Sequence, residues 1–341
     1  MKTYLLISAL SIAIIYIVCK LSQKMKLLDY PNNSRKLHLE PTPYTGGIAI
    51  LIINILIIKI MGNYDIQIKN LLIFSSLIVL LGFIDDKYTL RVPTRVILQI
   101  TFIFLIIQQG FMITNLGEIF ADKELYLGPF SILFTIISVA IITNGINYID
   151  GIDGLASSLF LNSIYMMIIY ILLNHGYQKN VIELLISISI PVLIFFLFNN
   201  NLFKLPKLFL GDNGSLLLGF TLSFLLIYLA QNKNLIESGQ VIWIISLIFF
   251  DFFSTNISRI IKNKSFFNAG VDHLHFFLKQ KIGLTKTLFL MNLINIFLGF
   301  YGYAIWYFFG NLISIINFII FSIIYLFLLN KINFNKITQN I

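Results

Sequence analysis

Long apolar runs alternate with short polar loops along the whole chain. Eleven such runs can be distinguished, beginning near Thr3, Gly47, Leu71, Val96, Phe130, Leu155, Val181, Leu216, Val241, Leu288 and Leu312. An apolar helix of about 20 residues crosses a bilayer, and somewhat shorter helices are tolerated. Several runs are near this lower limit, so the pattern predicts an all-α, polytopic integral membrane protein with about 10–11 transmembrane helices.

The distribution of Lys and Arg predicts how these spans are oriented. With eleven spans the loops alternate between two sides, and 18 of the 24 Lys and Arg residues fall on the side that holds the C-terminus. Because basic residues concentrate in cytoplasmic loops, we expect the N-terminus outside and the C-terminus in the cytoplasm, with the protein in the cytoplasmic (inner) membrane. The first run has no small-residue cleavage site after it and is interpreted as a retained span.

Composition agrees with this class. Of the 341 residues, 58% are apolar and 11% are charged, which is more apolar surface than one soluble core of this size can bury. The single cysteine, Cys19, excludes an internal disulfide framework. Since no polar segment is long enough to form a separate unit, residues 1–341 are predicted to be one membrane domain. We expect membrane lipid around it and no nucleic-acid partner, with a homodimer as one assembly it could form.

The most polar interruption between two spans is segment 144–156, Asn-Gly-Ile-Asn-Tyr-Ile-Asp-Gly-Ile-Asp-Gly-Leu-Ala. It contains Asn144, Asn147, Asp150 and Asp153, with no Lys or Arg nearby. Ionisable groups at membrane spans are costly, so such a cluster is a functional-site hypothesis. The glycines let the backbone come close to a ligand. An ordinary polar loop is the alternative.

Two further acidic motifs stand at the ends of apolar runs. Asp85 and Asp86 are adjacent carboxylates, which repel each other unless a cation lies between them or a proton is shared. A pair of solvated loop acids is the alternative. Asp212 lies in Gly-Asp-Asn-Gly-Ser before an apolar helix, where backbone N–H groups and a carboxylate could bind a phosphate with its magnesium ion. Its alternative role is a plain helix cap.

Basic and histidine residues complete the candidates. Arg35, Lys36 and His38 form a cationic patch in a proline-containing loop, which suits an anionic lipid headgroup. His273 and His275 are two positions apart, a spacing that does not place both rings on one face of a helix, so a dedicated zinc site is not expected. We expect these imidazoles to donate to a diphosphate or to orient a substrate.

The predicted orientation places the acidic motifs and the histidines together on the cytoplasmic face. The orientation was derived from Lys and Arg alone, so this agreement is independent of the acids. One composite cytoplasmic site explains it better than four unrelated loops.

Together these motifs resemble the polyprenyl-phosphate N-acetylhexosamine-1-phosphate transferase family. That family includes bacterial UDP-GlcNAc:undecaprenyl-phosphate GlcNAc-1-phosphate transferases and, more distantly, the phospho-MurNAc-pentapeptide translocase. The similarity extends from about Asp29 to Gly283. The matching motifs, in the family's order, are Arg35-Lys36-x-His38 with Pro43 and Gly46-Gly47; Asp85-Asp86; Asn144-x-x-Asn147-x-x-Asp150-Gly151-x-Asp153-Gly154-Leu155-Ala156; Gly211-Asp212-x-Gly214-Ser215; and His273-x-His275.

The resemblance implies Mg²⁺-dependent transfer of an N-acetylhexosamine 1-phosphate, with GlcNAc 1-phosphate the first candidate, from a UDP-sugar to undecaprenyl phosphate. UMP is released, and the lipid product initiates a cell-surface glycan such as the O-antigen of lipopolysaccharide. Mn²⁺ is expected to substitute for Mg²⁺.

The resemblance also implies roles for single residues. Asp212 and Asp86 are implied to bind the metal. The residues implied to be catalytic are Asp85, Asp86, Asp150 and Asp153. The residues implied to bind substrate are Arg35, Lys36, His38, Asn144, Asn147, His273 and His275.

Two departures from the family pattern bear on the identity of the sugar. Thr89 stands where a further Asp is common, and Gly270, Val271 and Phe276 replace the acid, the base and the third histidine of the family's histidine motif. The alternative substrate is therefore another UDP-N-acetylhexosamine, such as a deoxy sugar.

Two other classes of membrane protein also place acidic residues at membrane spans. Ion-coupled transporters use intramembrane acids, but they place them near the midplane of the bilayer. A CDP-alcohol phosphotransferase would need two further aspartates soon after Asp153, and the next acid in the chain is Glu183.

Overall fold

The computed structural model describes residues 2–31, 40–62, 65–120, 123–263, 270 and 272–332. In these residues the chain forms twelve α-helices, namely α1 (Lys2–Lys24), α2 (Gly46–Met61), α3 (Ile66–Tyr88), α4 (Val92–Ile107), α5 (Ser131–Ile149), α6 (Leu155–His175), α7 (Lys179–Asn199), α8 (Gly211–Ile227), α9 (Ser238–Ile244), α10 (Ser246–Ile261), α11 (Leu274–Ile282) and α12 (Leu284–Lys331). The strands form two antiparallel pairs, β1 (Leu28–Asp29) with β2 (Thr42–Pro43) and β3 (Asn115–Phe120) with β4 (Lys123–Tyr126).

Most of these helices have the length and composition of membrane spans. Among the described residues seven are long and apolar enough, namely α1, α3, α5, α6, α7, α8 and α12, and the pair α9–α10, bent by 72°, would make an eighth. Helices α2 and α4 are apolar but have 16 residues each. Helix α12 has 48 residues and is broken at Gly310, so it divides into two segments that can each cross the bilayer.

Each of the eleven predicted runs therefore coincides with one helix, with the bent pair α9–α10, or with one segment of α12. The prediction of an all-α, polytopic membrane protein is confirmed. The predicted orientation of the termini remains a prediction.

Helix α8 is the centre of the bundle, and nearly all of its residues are buried. Its start is packed against α2 and α3 backbone to backbone. A Cβ atom added to Gly47 would lie 2.3 Å from the Cα of Gly214, and one added to Gly82 would lie 2.4 Å from the Cα of Asn213. Glycine at these positions is therefore what allows α2, α3 and α8 to meet.

Backbone hydrogen bonds join the chain before α2 to the chain before α8. Phe209 N donates to Pro43 O at 2.8 Å, and Gly46 N donates to Phe209 O at 3.0 Å. Gly47 N then donates to Leu210 O at 3.2 Å. These bonds fix the start of α8 beside the start of α2.

Candidate active site

A cavity of about 550 Å³ opens where α3 and α5 end and α8 begins. It collects charged residues that are far apart in the sequence. Its lining contains six carboxylates and three basic side chains, namely Asp29, Asp85, Asp86, Asp150, Asp153 and Asp212 with Arg95, Lys207 and Lys279. The described residues thus bring all five predicted catalytic or metal-binding aspartates together.

Asp86 holds the start of α8 in place. Its Oδ1 accepts the backbone N–H of Asp212 at 2.9 Å, and its Oδ2 accepts the backbone N–H and the side-chain amide of Asn213 at 3.1 and 2.7 Å. Helix N-termini expose such unpaired N–H groups. Asp86 therefore caps α8 from a different helix, while its predicted metal-binding role remains a prediction.

Asp85 is buried and holds Arg95. Its Oδ1 accepts the backbone N–H of Leu90 at 2.8 Å, and its Oδ2 accepts Arg95 Nη1 at 2.8 Å. The same Nη1 lies 3.7 Å from Oδ2 of Asp212. Arg95 thus stands between two of the aspartates and offsets part of their mutual repulsion.

Asp212 lines the cavity with 36% of its side chain exposed. Its Oδ1 accepts the side-chain amide of Asn147 at 2.7 Å, and the same amide donates to Ser215 Oγ at 2.8 Å. Asn147 therefore sets the rotamer of Asp212, whose carboxylate also lies next to Asp85 and Arg95.

Asp150 ends α5 and lines the same cavity. Within the described part of the chain its carboxylate has no hydrogen-bonding partner, and burial together with the charges of Asp212, Asp153 and Asp86 raises its pKa well above the usual value. Its charge is therefore one that a cation in the cavity would stabilise.

Asp153 pairs with a basic residue from another loop. Lys207 Nζ lies 2.7 Å from Asp153 Oδ2, and Lys279 of α11 lines the cavity beside them. The loops that carry the pair are tied together by Asn199, whose Oδ1 accepts Gly154 N at 2.6 Å and whose Nδ2 donates to Leu208 O at 3.0 Å.

The histidine segment is buried next to this cavity. His273 begins α11 in an extended conformation, which explains why its ring stacks on that of His275 at a centroid distance of 5.3 Å despite their i, i+2 spacing. Nδ1 of His273 lies 2.7 Å from Oδ2 of the fully buried Asp251 on α10. His275 is wholly buried, and burial lowers its pKa to about 3. Its Nε2 packs against Gly151.

The other predicted residues are placed as follows. Asn144 donates to Gln99 Oε1 at 2.9 Å and to the carbonyl of Ala140, and it does not line the cavity described above. Arg35, Lys36 and His38 lie outside the described residues.

Sequence reasoning did not single out Lys207, Lys279 or Asp251. The two lysines are isolated charges outside any motif, and only their proximity to the aspartates in the fold reveals them. A carboxylate within the apolar run of α10 was the available signal for Asp251.

Comparison with known proteins agrees with this arrangement. The sequence profile of glycosyl transferase family 4 matches residues 68–230. Similar proteins include the undecaprenyl-phosphate alpha-N-acetylglucosaminyl 1-phosphate transferase of Yersinia pestis, 30% identical over 269 residues, which are 78% of this chain and 73% of that protein. The chain belongs to glycosyl transferase family 4.

Two further relatives support the assignment to glycosyl transferase family 4. The probable undecaprenyl-phosphate N-acetylglucosaminyl 1-phosphate transferase of Bacillus subtilis is 29% identical over 273 residues, 79% of this chain and 75% of that protein. The undecaprenyl-phosphate alpha-N-acetylglucosaminyl 1-phosphate transferase of Escherichia coli K12 is 28% identical over 259 residues, which are 75% of this chain and 70% of that protein. The resemblance inferred from the motifs is confirmed, and the chain is a multi-pass membrane enzyme of this family.

Proposed function

We propose that this enzyme transfers N-acetylglucosamine 1-phosphate from UDP-N-acetylglucosamine to undecaprenyl phosphate, with Mg²⁺ as cofactor, at the cytoplasmic face of the inner membrane. The observation that carries the proposal is the convergence of Asp85, Asp86, Asp150, Asp153 and Asp212 on one cavity that also contains Arg95, Lys207 and Lys279. The names of the relatives supply the acceptor and the sugar.

The reaction is a phosphoryl transfer without an intermediate on the protein. An oxygen of the lipid phosphate attacks the phosphorus that carries the sugar, and a new P–O–P bond forms. The bond between that phosphorus and the bridging oxygen of the UDP diphosphate breaks, and UMP leaves with that oxygen. A phosphate monoester has a second pKa of about 6, so the attacking oxygen is mostly deprotonated at neutral pH.

Catalysis of such a transfer depends on position and on charge neutralisation. Joining a phosphate to a diphosphate brings several negative charges together. Arg95 can offset charge beside Asp212, and Lys207 and Lys279 can do so beside Asp153. Asp86 and Asn147 hold Asp212 at the N-terminus of α8. The backbone N–H groups there also favour the binding of an anion.

The side chains present fit Mg²⁺. This ion prefers carboxylate oxygens and takes its remaining ligands from water and substrate phosphates. Asp212 presents a carboxylate on a side chain that is 36% exposed, and Asp150 presents an unpartnered carboxylate in the described cavity. No group of three or more His, Cys, Asp or Glu forms a metal site by itself in the described ranges. We therefore infer that Asp212 and Asp150 would hold the ion and that substrate oxygens complete it. The bound ion would neutralise charge on the reacting phosphates.

The test is an assay of the purified protein in detergent. With undecaprenyl phosphate, UDP-N-acetylglucosamine and Mg²⁺ we expect release of UMP and a lipid product whose mass corresponds to undecaprenyl diphosphate carrying one N-acetylhexosamine. Asp212→Asn should abolish UMP release without unfolding the protein, because it removes one charge from a crowded acidic cluster.

Competing UDP-N-acetylhexosamines in the same assay identify the preferred sugar. Turnover in detergent without a membrane gradient excludes an ion-coupled transporter. Full turnover in excess chelator would contradict the role of Mg²⁺, and no UMP release from any UDP-sugar would contradict the proposed reaction.

A further inference from the structure

The basic side chains of the cavity fall into two groups. Arg95 is already shared between Asp85 and Asp212. Lys207 and Lys279 instead stand by Asp153. The described lining contains six carboxylates and three basic groups, so its described part repels an anionic substrate at most positions. Asp153 differs from Asp85 and Asp212, which share one arginine, because two lysines act on it.

The ion pair between Lys207 and Asp153 is complete without Lys279. Lys207 Nζ and Asp153 Oδ2 are 2.7 Å apart, and the two side chains are 33% and 27% exposed. Lys279 adds a second ammonium group to this pair. Burial lowers the pKa of Lys279, the charge of Asp153 raises it, and the charge of Lys207 has a smaller lowering effect. Lys279 is therefore a partly buried ammonium group beside an ion pair that is already complete, and a bound anion would offset the cost of its burial.

Both lysines are placed by rigid neighbours. Lys279 lies one helical turn after Phe276 on α11, and both line the cavity. The start of α11 is fixed because the ring of His275 is buried against Gly151. Lys207 precedes Leu208, whose carbonyl accepts a hydrogen bond from Asn199. A site whose charges are already positioned binds its ligand at a lower cost in entropy.

We propose that Lys207 and Lys279 form a binding site for a phosphate ester that carries at least two negative charges, with Asp153 as the group that keeps the two ammonium groups together. This inference rests on the proposed function for its two candidate ligands. They are the diphosphate of a nucleotide sugar and the phosphate of the polyprenyl lipid, and the same ammonium chemistry would recognise either.

Binding measurements without turnover test the site. The full-length protein in detergent is titrated calorimetrically with UDP alone and with a short-chain polyprenyl phosphate alone, in Mg²⁺ and in chelator. The variants are Lys207→Met and Lys279→Met, with Lys279→Arg as the conservative replacement. Lys204→Met and Lys281→Met are matched controls, because both lysines are exposed and neither lines this cavity.

We expect Lys207→Met and Lys279→Met each to raise the Kd of one ligand by about tenfold or more. Lys279→Arg should stay within about threefold of the wild type and the controls within about twofold. Loss of UDP affinity alone assigns the site to the nucleotide, and loss of polyprenyl phosphate affinity alone assigns it to the lipid. A thermal melt of each variant shows whether a loss of affinity comes from unfolding. If a methionine variant unfolds, the affinity of Lys279→Arg, which keeps the positive charge, tests the site in its place.

Unchanged affinity of both methionine variants for both ligands would overturn the proposal, as would equal losses in the two controls. The proposed function can fail separately. Lysine-dependent binding of UDP by a protein that releases no UMP with undecaprenyl phosphate would refute the transferase reaction and leave the site intact. Normal turnover with lysine-independent binding would refute the site alone.

Discussion

The carboxylate of Asp86, at the end of α3, accepts the backbone N–H of Asp212, at the start of α8, at 2.9 Å. An acid from one predicted motif therefore supports the acid of another. Because Asn213 also donates twice to Asp86, the position of Asp212 in the cavity depends on a residue 126 positions earlier in the chain.

Replacing Asp86 by Asn should lower both stability and activity. The amide keeps one acceptor oxygen but turns an NH₂ group towards the donors of Asn213. We expect a loss of about 1–3 kcal/mol in the free energy of unfolding and a fall in kcat that additional Mg²⁺ does not restore. Thermal unfolding in detergent and a Mg²⁺ titration of UMP release measure these effects.

The matched control is Asp65→Asn. Asp65 is 48% exposed and forms an ion pair with Lys233, a type of pair that contributes little to stability. Recovery of Asp86→Asn activity at high Mg²⁺ would instead identify Asp86 as a metal ligand that the variant binds with lower affinity.

The contact between Gly47 and Gly214 should tolerate no side chain. In Gly47→Ala the new Cβ would lie 2.3 Å from the Cα of Gly214, so α2 and α8 would have to separate. We expect a loss of about 3 kcal/mol or more in stability, seen as a lower Tm, together with reduced activity, since the start of α8 carries Asp212.

Gly299→Ala is the appropriate comparison for Gly47→Ala. Its Cβ would lie 3.0 Å from Sδ of Met166, and the unbranched methionine side chain can shift away. Its Tm should change much less. Equal destabilisation by the two substitutions would contradict a specific role for the Gly47–Gly214 contact.

His275 should make the protein less stable in mild acid. Burial lowers the pKa of His275 to about 3 from an ordinary value of 6.5. The unfolded chain therefore takes up a proton below pH 6.5 that the folded chain does not, and stability falls as pH decreases from about 6.5 towards about 3. Asp251, His273 and Lys279 are the ionisable groups that act on this ring.

His275→Phe removes this titration and keeps an aromatic ring in the buried space. Its Tm should exceed that of the wild type at pH 5, and the difference should shrink or reverse at pH 8. His175→Gln serves as control because His175 is exposed on another helix. An equal pH dependence of Tm in the wild type and His275→Phe would show that other groups cause the acid sensitivity.

The apolar runs predicted the helices well because a span must satisfy its own backbone hydrogen bonds, whatever its neighbours are. The acidic motifs were also recognisable, since clustered carboxylates beside apolar runs are costly without a function. The sequence alone therefore indicated Asp212 and Asp150 as candidate site residues.

Other features depend on which helices become neighbours. Nothing near Asp86 in the sequence indicates that it caps α8, because the donors come from Asp212 and Asn213. Lys207 and Lys279 are likewise ordinary lysines until the fold brings them to Asp153. The bend between α9 and α10 was also not foreseen, since periodicity places one apolar run there.

Asp251 should act on the site by holding His273 in one tautomer. Its Oδ2 lies 2.7 Å from Nδ1 of His273, and its Oδ1 accepts the hydroxyl of Tyr325 at 3.0 Å. A carboxylate in this position keeps the proton on Nδ1 and leaves Nε2 as the acceptor nitrogen. Asp251→Asn removes one of these two acceptor oxygens, so we expect a fall in kcat of about tenfold or more and a mixture of His273 tautomers.

Nitrogen NMR of protein labelled in histidine reads the tautomer directly, and the chain has only four histidines to assign. Tyr325→Phe is the matched control, because it removes a hydroxyl from the same carboxylate and leaves the contact with His273. It should keep the Nδ1–H tautomer and most of the activity. If Asp251→Asn also kept that tautomer while losing activity, Asp251 would stabilise the packing of α10 against α12 rather than orient the histidine.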